Sequence, residues 1–101
     1  MRLLRLMPQP YGEGSYVLGI EDSFLLEIAG RWQVKYEDGK VVSVEPTDLA
    51  PDMIADETLA CQLILGRIGL DDALYRPGVQ LLGNAETLSR AFVRRSVHLA
   101  L

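Results

Sequence analysis

Apolar and polar residues alternate strictly along Arg31-Trp32-Gln33-Val34-Lys35-Tyr36-Glu37, which puts Trp32, Val34 and Tyr36 on one face of a strand and the charged and amide residues on the other. Asp38-Gly39 is a two-residue turn signal and Lys40 to Glu45 resumes a β-branched run, so Arg31 to Glu45 predicts an antiparallel hairpin. Pro46-Thr47-Asp48 ends it, because proline cannot donate to a ladder. Ser15 to Glu21 has the same period of two, with Tyr16, Leu18 and Ile20 opposite Val17, Gly19 and Glu21. Leu3 to Leu6 predicts an edge strand, and Pro8 to Gly14 a rigid turn passing into a flexible connection. Asp22 to Ala29 reads as a connection ending at Gly30.

From Pro51 onward the pattern changes. Asp52 to Ala55 predicts a short strand running into Asp56, whose carboxylate can accept the free N–H groups of a first helical turn, with Glu57 favourable at the same end. The helix from Glu57 ends at Leu65-Gly66 and is apolar on more than one face, through Leu59, Ala60, Cys61, Leu63, Ile64 and Leu65. Such a helix is buried on several sides, or lines a cavity or a subunit interface. Leu70 to Tyr75 predicts a short helix stopped by Pro77-Gly78, and Val79 to Leu82 a further strand. A last helix, Ala85 to Val93, has Asn84 as its expected cap and Leu88, Ala91 and Phe92 on one stripe. The class is α+β: a single small domain, residues 1–101, with a mostly antiparallel sheet of about five strands packed against two to three helices. Residues 1–14 form its edge strand and flexible connection, and residues 95–101 a C-terminal tail.

Composition adds exclusions. The 101 residues are 49% hydrophobic and 24% charged, which suits one globular core. Fourteen acidic against ten basic residues give a net charge of -4, which disfavours a nucleic-acid partner. Arg90, Arg94 and Arg95 lie close together, and Arg90 and Arg94, one helical turn apart, read as a solvated positive stripe. The single cysteine, Cys61, permits neither an internal disulfide nor a cysteine-based zinc site and fits a reducing, cytoplasmic location. Met1 to Met7 is broken by Arg5 and closed by Pro8, so neither a signal peptide nor a membrane span is expected.

Little here has the makings of a reaction. His98, the only histidine, lacks carboxylates or cysteines at ligand spacing, so no metal site is expected. The Asp71-Asp72 and Glu21-Asp22 pairs point in different directions along the chain and read as caps and solvated charges. None of Ser15, Ser23, Ser43, Ser89 and Ser96 sits in a Gly-x-Ser-x-Gly elbow, and Gly12-Glu13-Gly14 is a turn rather than a phosphate loop.

The order Pro51 to Asp56, an apolar helix closed by Leu65-Gly66, a short helix, Val79 to Asn84 and a last helix resembles the sterol carrier protein-like domain. Glu21-Asp22-Ser23-Phe24, Gly30 to Val34 and Asp38-Gly39-Lys40-Val41 are similar to the version at the C-terminus of N-acetyltransferases of the enhanced-intracellular-survival type. The resemblance covers nearly the whole chain and rests on order and spacing. In that family two GNAT-type acetyltransferase modules precede the domain, and the terminal carboxylate reaches the active site as a general base. By resemblance that carboxylate falls on Leu101, where the family has an aromatic residue.

This chain carries no acetyltransferase module and no Gly-rich pyrophosphate loop opening a helix, so it is expected to be no enzyme on its own and to hold no cofactor. Acetyl-CoA would enter only with an acetyltransferase partner module. The reading is therefore a non-catalytic module that assembles with, or completes the active site of, a GNAT-type enzyme. An excised piece of a longer enzyme, and self-association through the apolar helix, are readings beside it. The alternative is a small carrier of lipid or another hydrophobic ligand, with Leu59, Leu63, Leu70, Leu74, Leu81, Leu88 and Phe92 walling a hydrophobic cavity. Plain core plus a protein interface is preferred for these residues, because a chain this short needs most of its large apolar side chains to fold.

Overall fold

A computed structural model describes residues 4, 5, 7–21 and 30–93. The connection expected over Asp22 to Ala29, His98, Arg94, Arg95, Leu101 and the tail 95–101 lie outside the described residues.

Five strands form one mixed sheet: β1 (Glu13–Glu21), β2 (Gly30–Glu37), β3 (Lys40–Pro46), β4 (Met53–Asp56) and β5 (Val79–Leu81), in the order β3-β2-β1-β4-β5. Three helices accompany them: α1 (Glu57–Ile64), α2 (Leu70–Ala73) and α3 (Ala85–Ala91). The α+β architecture expected from the alternation pattern is the one observed. All strand pairs are antiparallel except β1–β4, which run parallel with Leu18 beside Met53 and Glu21 beside Asp56.

The hairpin forms where Asp38-Gly39 predicts it. Both residues have positive φ, 48° and 88°, the conformation whose twist matches the flanking strands. Lys35 pairs with Ser43 but Tyr36 with Val41, so Val42 is an extra, exposed residue that bulges the outer strand. β1 is central, and Tyr16 through Ile20 are all buried, on both of its faces.

Register places Tyr16, Leu18 and Ile20 of β1 with Val34 and Tyr36 of β2, Val44 of β3 and Met53 and Ala55 of β4 on one face. These join Leu63, Ile64, Leu70, Ala73, Leu88, Ala91 and Phe92 in a single core. The radius of gyration, 12.4 Å, is that of one domain of about 100 residues.

Two expectations are corrected. Leu4 and Arg5 are helical, so the strand predicted over Leu3 to Leu6 does not form at these positions. Leu4 is instead wholly buried in the core, and the Arg5 guanidinium donates to the Val44 carbonyl on the sheet edge at 3.3 Å. Asn84 precedes α3 but makes no side-chain cap, because its φ of 56° is left-handed and its amide is turned towards the sheet.

Candidate functional site

α1 is built by its ends. Asp56 is extended, and its Oδ1 accepts the Leu59 N–H at 2.8 Å, the predicted N-cap. At the other end Gly66 adopts φ 74° while its N–H donates to the Leu63 carbonyl and the Arg67 N–H to that of Gln62, which closes the helix with a Schellman turn. Leu59, Ala60, Leu63 and Ile64 are buried, and Cys61 and Gln62 are half-buried. α1 therefore has a broad apolar face and one polar side.

That polar side, with the turn after it, borders a groove of about 720 Å³ lined by Asp56, Glu57, Thr58, Cys61, Gln62, Leu65 and Arg67. Its size suits a small ligand, but its lining is mixed rather than apolar. Burial, and secondarily the Glu57 carboxylate, push the Cys61 thiol above its ordinary value, so it is a poor nucleophile at neutral pH. Two smaller clefts lie beyond the sheet's other face. One, about 220 Å³, is bordered by Gly19, Glu21, Arg31, Pro51 and Ile54. The other, about 200 Å³, is bordered by Glu21, Asp56, Gly78 and Gln80.

Asp52, which composition and spacing did not single out, joins several elements. Its N–H donates to the Val17 carbonyl at 2.8 Å and its Oδ2 accepts the Val17 N–H at 2.9 Å, so it pairs with β1 before β4 begins. Its carbonyl accepts the N–H groups of Leu82 and Gly83, where β5 ends. The Asn84 amide donates to the Ser15 carbonyl at 2.9 Å and lies 3.5 Å from Asp52 Oδ2. This is a structural junction of β1, β4, β5 and the start of α3. An Asp at the mouth of a four-residue strand followed by Gly-Asn at the exit of its neighbour is the signal that could have suggested it.

Of the seven residues proposed to wall a hydrophobic cavity, Leu63, Leu70, Leu88 and Phe92 are packed together in the core at 0–4% exposure. Leu59 is buried, Leu81 half-buried against the core, and Leu74 exposed at 42%. None of the seven lines any of the three clefts above. Arg90 is paired with Glu86 at 2.8 Å, one turn away on the exposed side of α3.

Among the described residues no three His, Cys, Asp or Glu side chains converge as a metal site, and no helix is long and apolar enough to cross a membrane. A pyrophosphate is poorly matched to these helices. The first turn of α1 is already capped by Asp56 and carries Glu57, which would repel an anion, and α2 and α3 span only four and seven residues. The described helix starts therefore offer no matched cradle for the pyrophosphate of acetyl-CoA.

No family model matches the chain and no curated protein matches it. Solved structures do. A conserved protein of unknown function from Enterococcus faecalis, titled "Probable N-Acyltransferase", superposes at a TM-score of 0.76 with 24% identity, over 91% of this chain. A GCN5-related N-acetyltransferase from Kribbella flavida superposes at 0.70 with 21% identity, and one from Anabaena variabilis at 0.69 with 16%, each over 93% of this chain. The chain spans 24% of the length of each of these proteins. It thus shares the fold of a quarter-length portion of proteins titled as acyl- or acetyltransferases.

Proposed function

We propose that the chain is a non-catalytic accessory module of a GNAT-type N-acetyltransferase, of the sterol carrier protein-like kind at the C-terminus of enhanced-intracellular-survival type enzymes. The observation that carries this reading is the superposition of more than nine-tenths of the chain on one quarter of three proteins titled as acyl- or acetyltransferases. On this reading an acetyltransferase module, on the same polypeptide or a partner, binds acetyl-CoA and the amine. This chain supplies assembly surface and helps complete the active site of that module. Exposed Leu65, Leu74, Tyr75 and Leu82 are available to such assembly, or to self-association.

The test has two arms. The isolated chain, given acetyl-CoA and a panel of amines, is expected to transfer no acetyl group, and turnover would overturn the proposal. Reading the coding frame upstream of Met1 and beside it should reveal an acetyltransferase module. Co-expression with that module is expected to yield a stable complex whose turnover falls when this chain is omitted, and an unaffected turnover would count against an active-site-completing role.

A further inference from the structure

The outer side of α1 differs from an ordinary solvent-facing helix surface. Thr58, Cys61, Gln62 and Leu65 recur at the spacing i, i+3, i+4, i+7, so they form one stripe opposite the buried Leu59, Ala60, Leu63 and Ile64. Thr58 and Leu65 are exposed, Leu65 by 47%, while Cys61 and Gln62 are half-buried. None of the four carries a charge, whereas the outer stripe of a surface helix is usually built of charged and strongly polar residues. All four border the 720 Å³ groove.

Charges of opposite sign bound this stripe at its two ends. Asp56 and Glu57 stand where α1 begins and Arg67 in the turn that closes it, and all three line the same groove. At 1.5 Å per residue, the eight residues of α1 set the acidic and basic ends about 12 Å apart. A neutral centre inside a charged rim is the layout of a protein interface. A partner that fits must be elongated, carry a neutral stripe of the same length and present its charges in the reverse order. The same side of α1, turned end for end, meets each of these requirements.

We infer that this side of α1 docks on the same side of α1 in a second copy of the chain, the two helices running antiparallel about a two-fold axis. Arg67 of the second copy then lies against Asp56 and Glu57, and Glu57 of the second copy lies against Arg67, so each contact occurs twice, as an isologous interface requires. A parallel arrangement would set Glu57 against Glu57. The axis passes between Cys61 and Gln62, the middle of the stripe, which brings the two Cys61 side chains close together and sets Leu65 of each copy beside Thr58 of the other. Asp56 keeps its cap in the pair, because Oδ1 stays on the Leu59 N–H. One helical stripe buries much less than the roughly 800 Å² per partner of a standard interface, so the dimer belongs with the weak ones and is half-formed at about 100 µM. None of this rests on the proposed acetyltransferase connection.

Analytical ultracentrifugation of the full chain, over a concentration series centred on about 100 µM, is expected to show a monomer–dimer equilibrium. A short bismaleimide should link the dimer through Cys61, the only cysteine. Glu57→Arg and Arg67→Glu, each checked for an unchanged circular dichroism spectrum, turn both ion pairs into repulsions. Either should weaken the dimer about thirtyfold, the sum of four changes at the usual strength of an exposed pair. Mixed in equal amounts, the two variants present complementary ends again, and a mixed dimer should form about as tightly as that of the unaltered protein. A general loss of fold would not give this rescue. A chain that stays monomeric across the series, a dimer indifferent to both reversals, or a mixture that associates no better than its separate components would each overturn the inference.

Discussion

Replacing Asp52 by alanine isolates the contribution of the junction between β1 and the second half of the chain. Alanine keeps the main-chain bonds of residue 52 to Val17, Leu82 and Gly83 and removes only the carboxylate. The lost bond is charge-assisted, at 2.9 Å, to the N–H of a residue 6% exposed in the central strand. Hydrogen bonds to charged acceptors contribute about 1.5–3 kcal/mol, and the half-burial of Asp52 lets water replace part of that, so a loss of about 2 kcal/mol is expected. The contact to Asn84 at 3.5 Å adds little. For a domain of this size the melting temperature should fall by roughly 10 °C. Asp52→Asn keeps an oxygen facing the Val17 N–H and should lose about half as much. Thermal melts followed by circular dichroism, with urea titrations for the free energy, measure both. A loss below about 0.5 kcal/mol for alanine, or equal losses for the two variants, would refute the reasoning.

Gly78 faces the helix cap, and a Cβ there would fall on Asp56 Oδ2 and within 2.8 Å of Leu59 Cδ1. Gly78→Ala should therefore displace the cap and cost about 1–2 kcal/mol, seen as a lower urea midpoint at unchanged slope, and a neutral substitution would refute that packing. Phe92→Ala removes a fully buried ring with its edge-on tyrosine contact and should cost about 3–5 kcal/mol in the same titration. A loss under about 1.5 kcal/mol would mean the ring is not packed as described. Burial, more than Glu57, raises the Cys61 thiol pKa, so its alkylation by iodoacetamide should reach half-maximal rate at higher pH than a free cysteine does. The folded state then holds the thiol proton where the unfolded chain releases it. Its contribution to stability is complete below the unfolded thiol pKa and lost as pH rises through the folded one, and Cys61→Ala should flatten that alkaline decline.

Local signals were legible wherever the residue type leaves few conformations. Asp38-Gly39 has to turn because both residues take positive φ, and Asp56 has to cap because its carboxylate reaches the Leu59 N–H. Long-range pairing left no such mark. The parallel contact of β1 with β4 joins Leu18 to Met53, and nothing near either residue specifies the other. Val17 and Gly19, set on the opposite face from Tyr16, Leu18 and Ile20 by alternation, are buried too, because β1 is central and Gly19 lies against Pro51 and Ile54. Asn84 misled because its residue type suits a cap, whereas its side chain serves the Asp52 junction. The proposed ligand wall was read from apolar residues alone, and apolarity marks core and cavity alike; what separates them is packing, seen in Leu63, Leu88 and Phe92.

The polar groups with defined geometry serve the packing of the fold. Asp56 caps α1, Asp52 completes the ladder at Val17, Asn84 ties α3 to Ser15, and Gln9 accepts the Tyr16 hydroxyl. Asp56, Asp52, Asn84 and Gln9 each tie one element to another, and Glu86 pairs with Arg90 within α3. These contacts fix how the described strands and helices sit on one another.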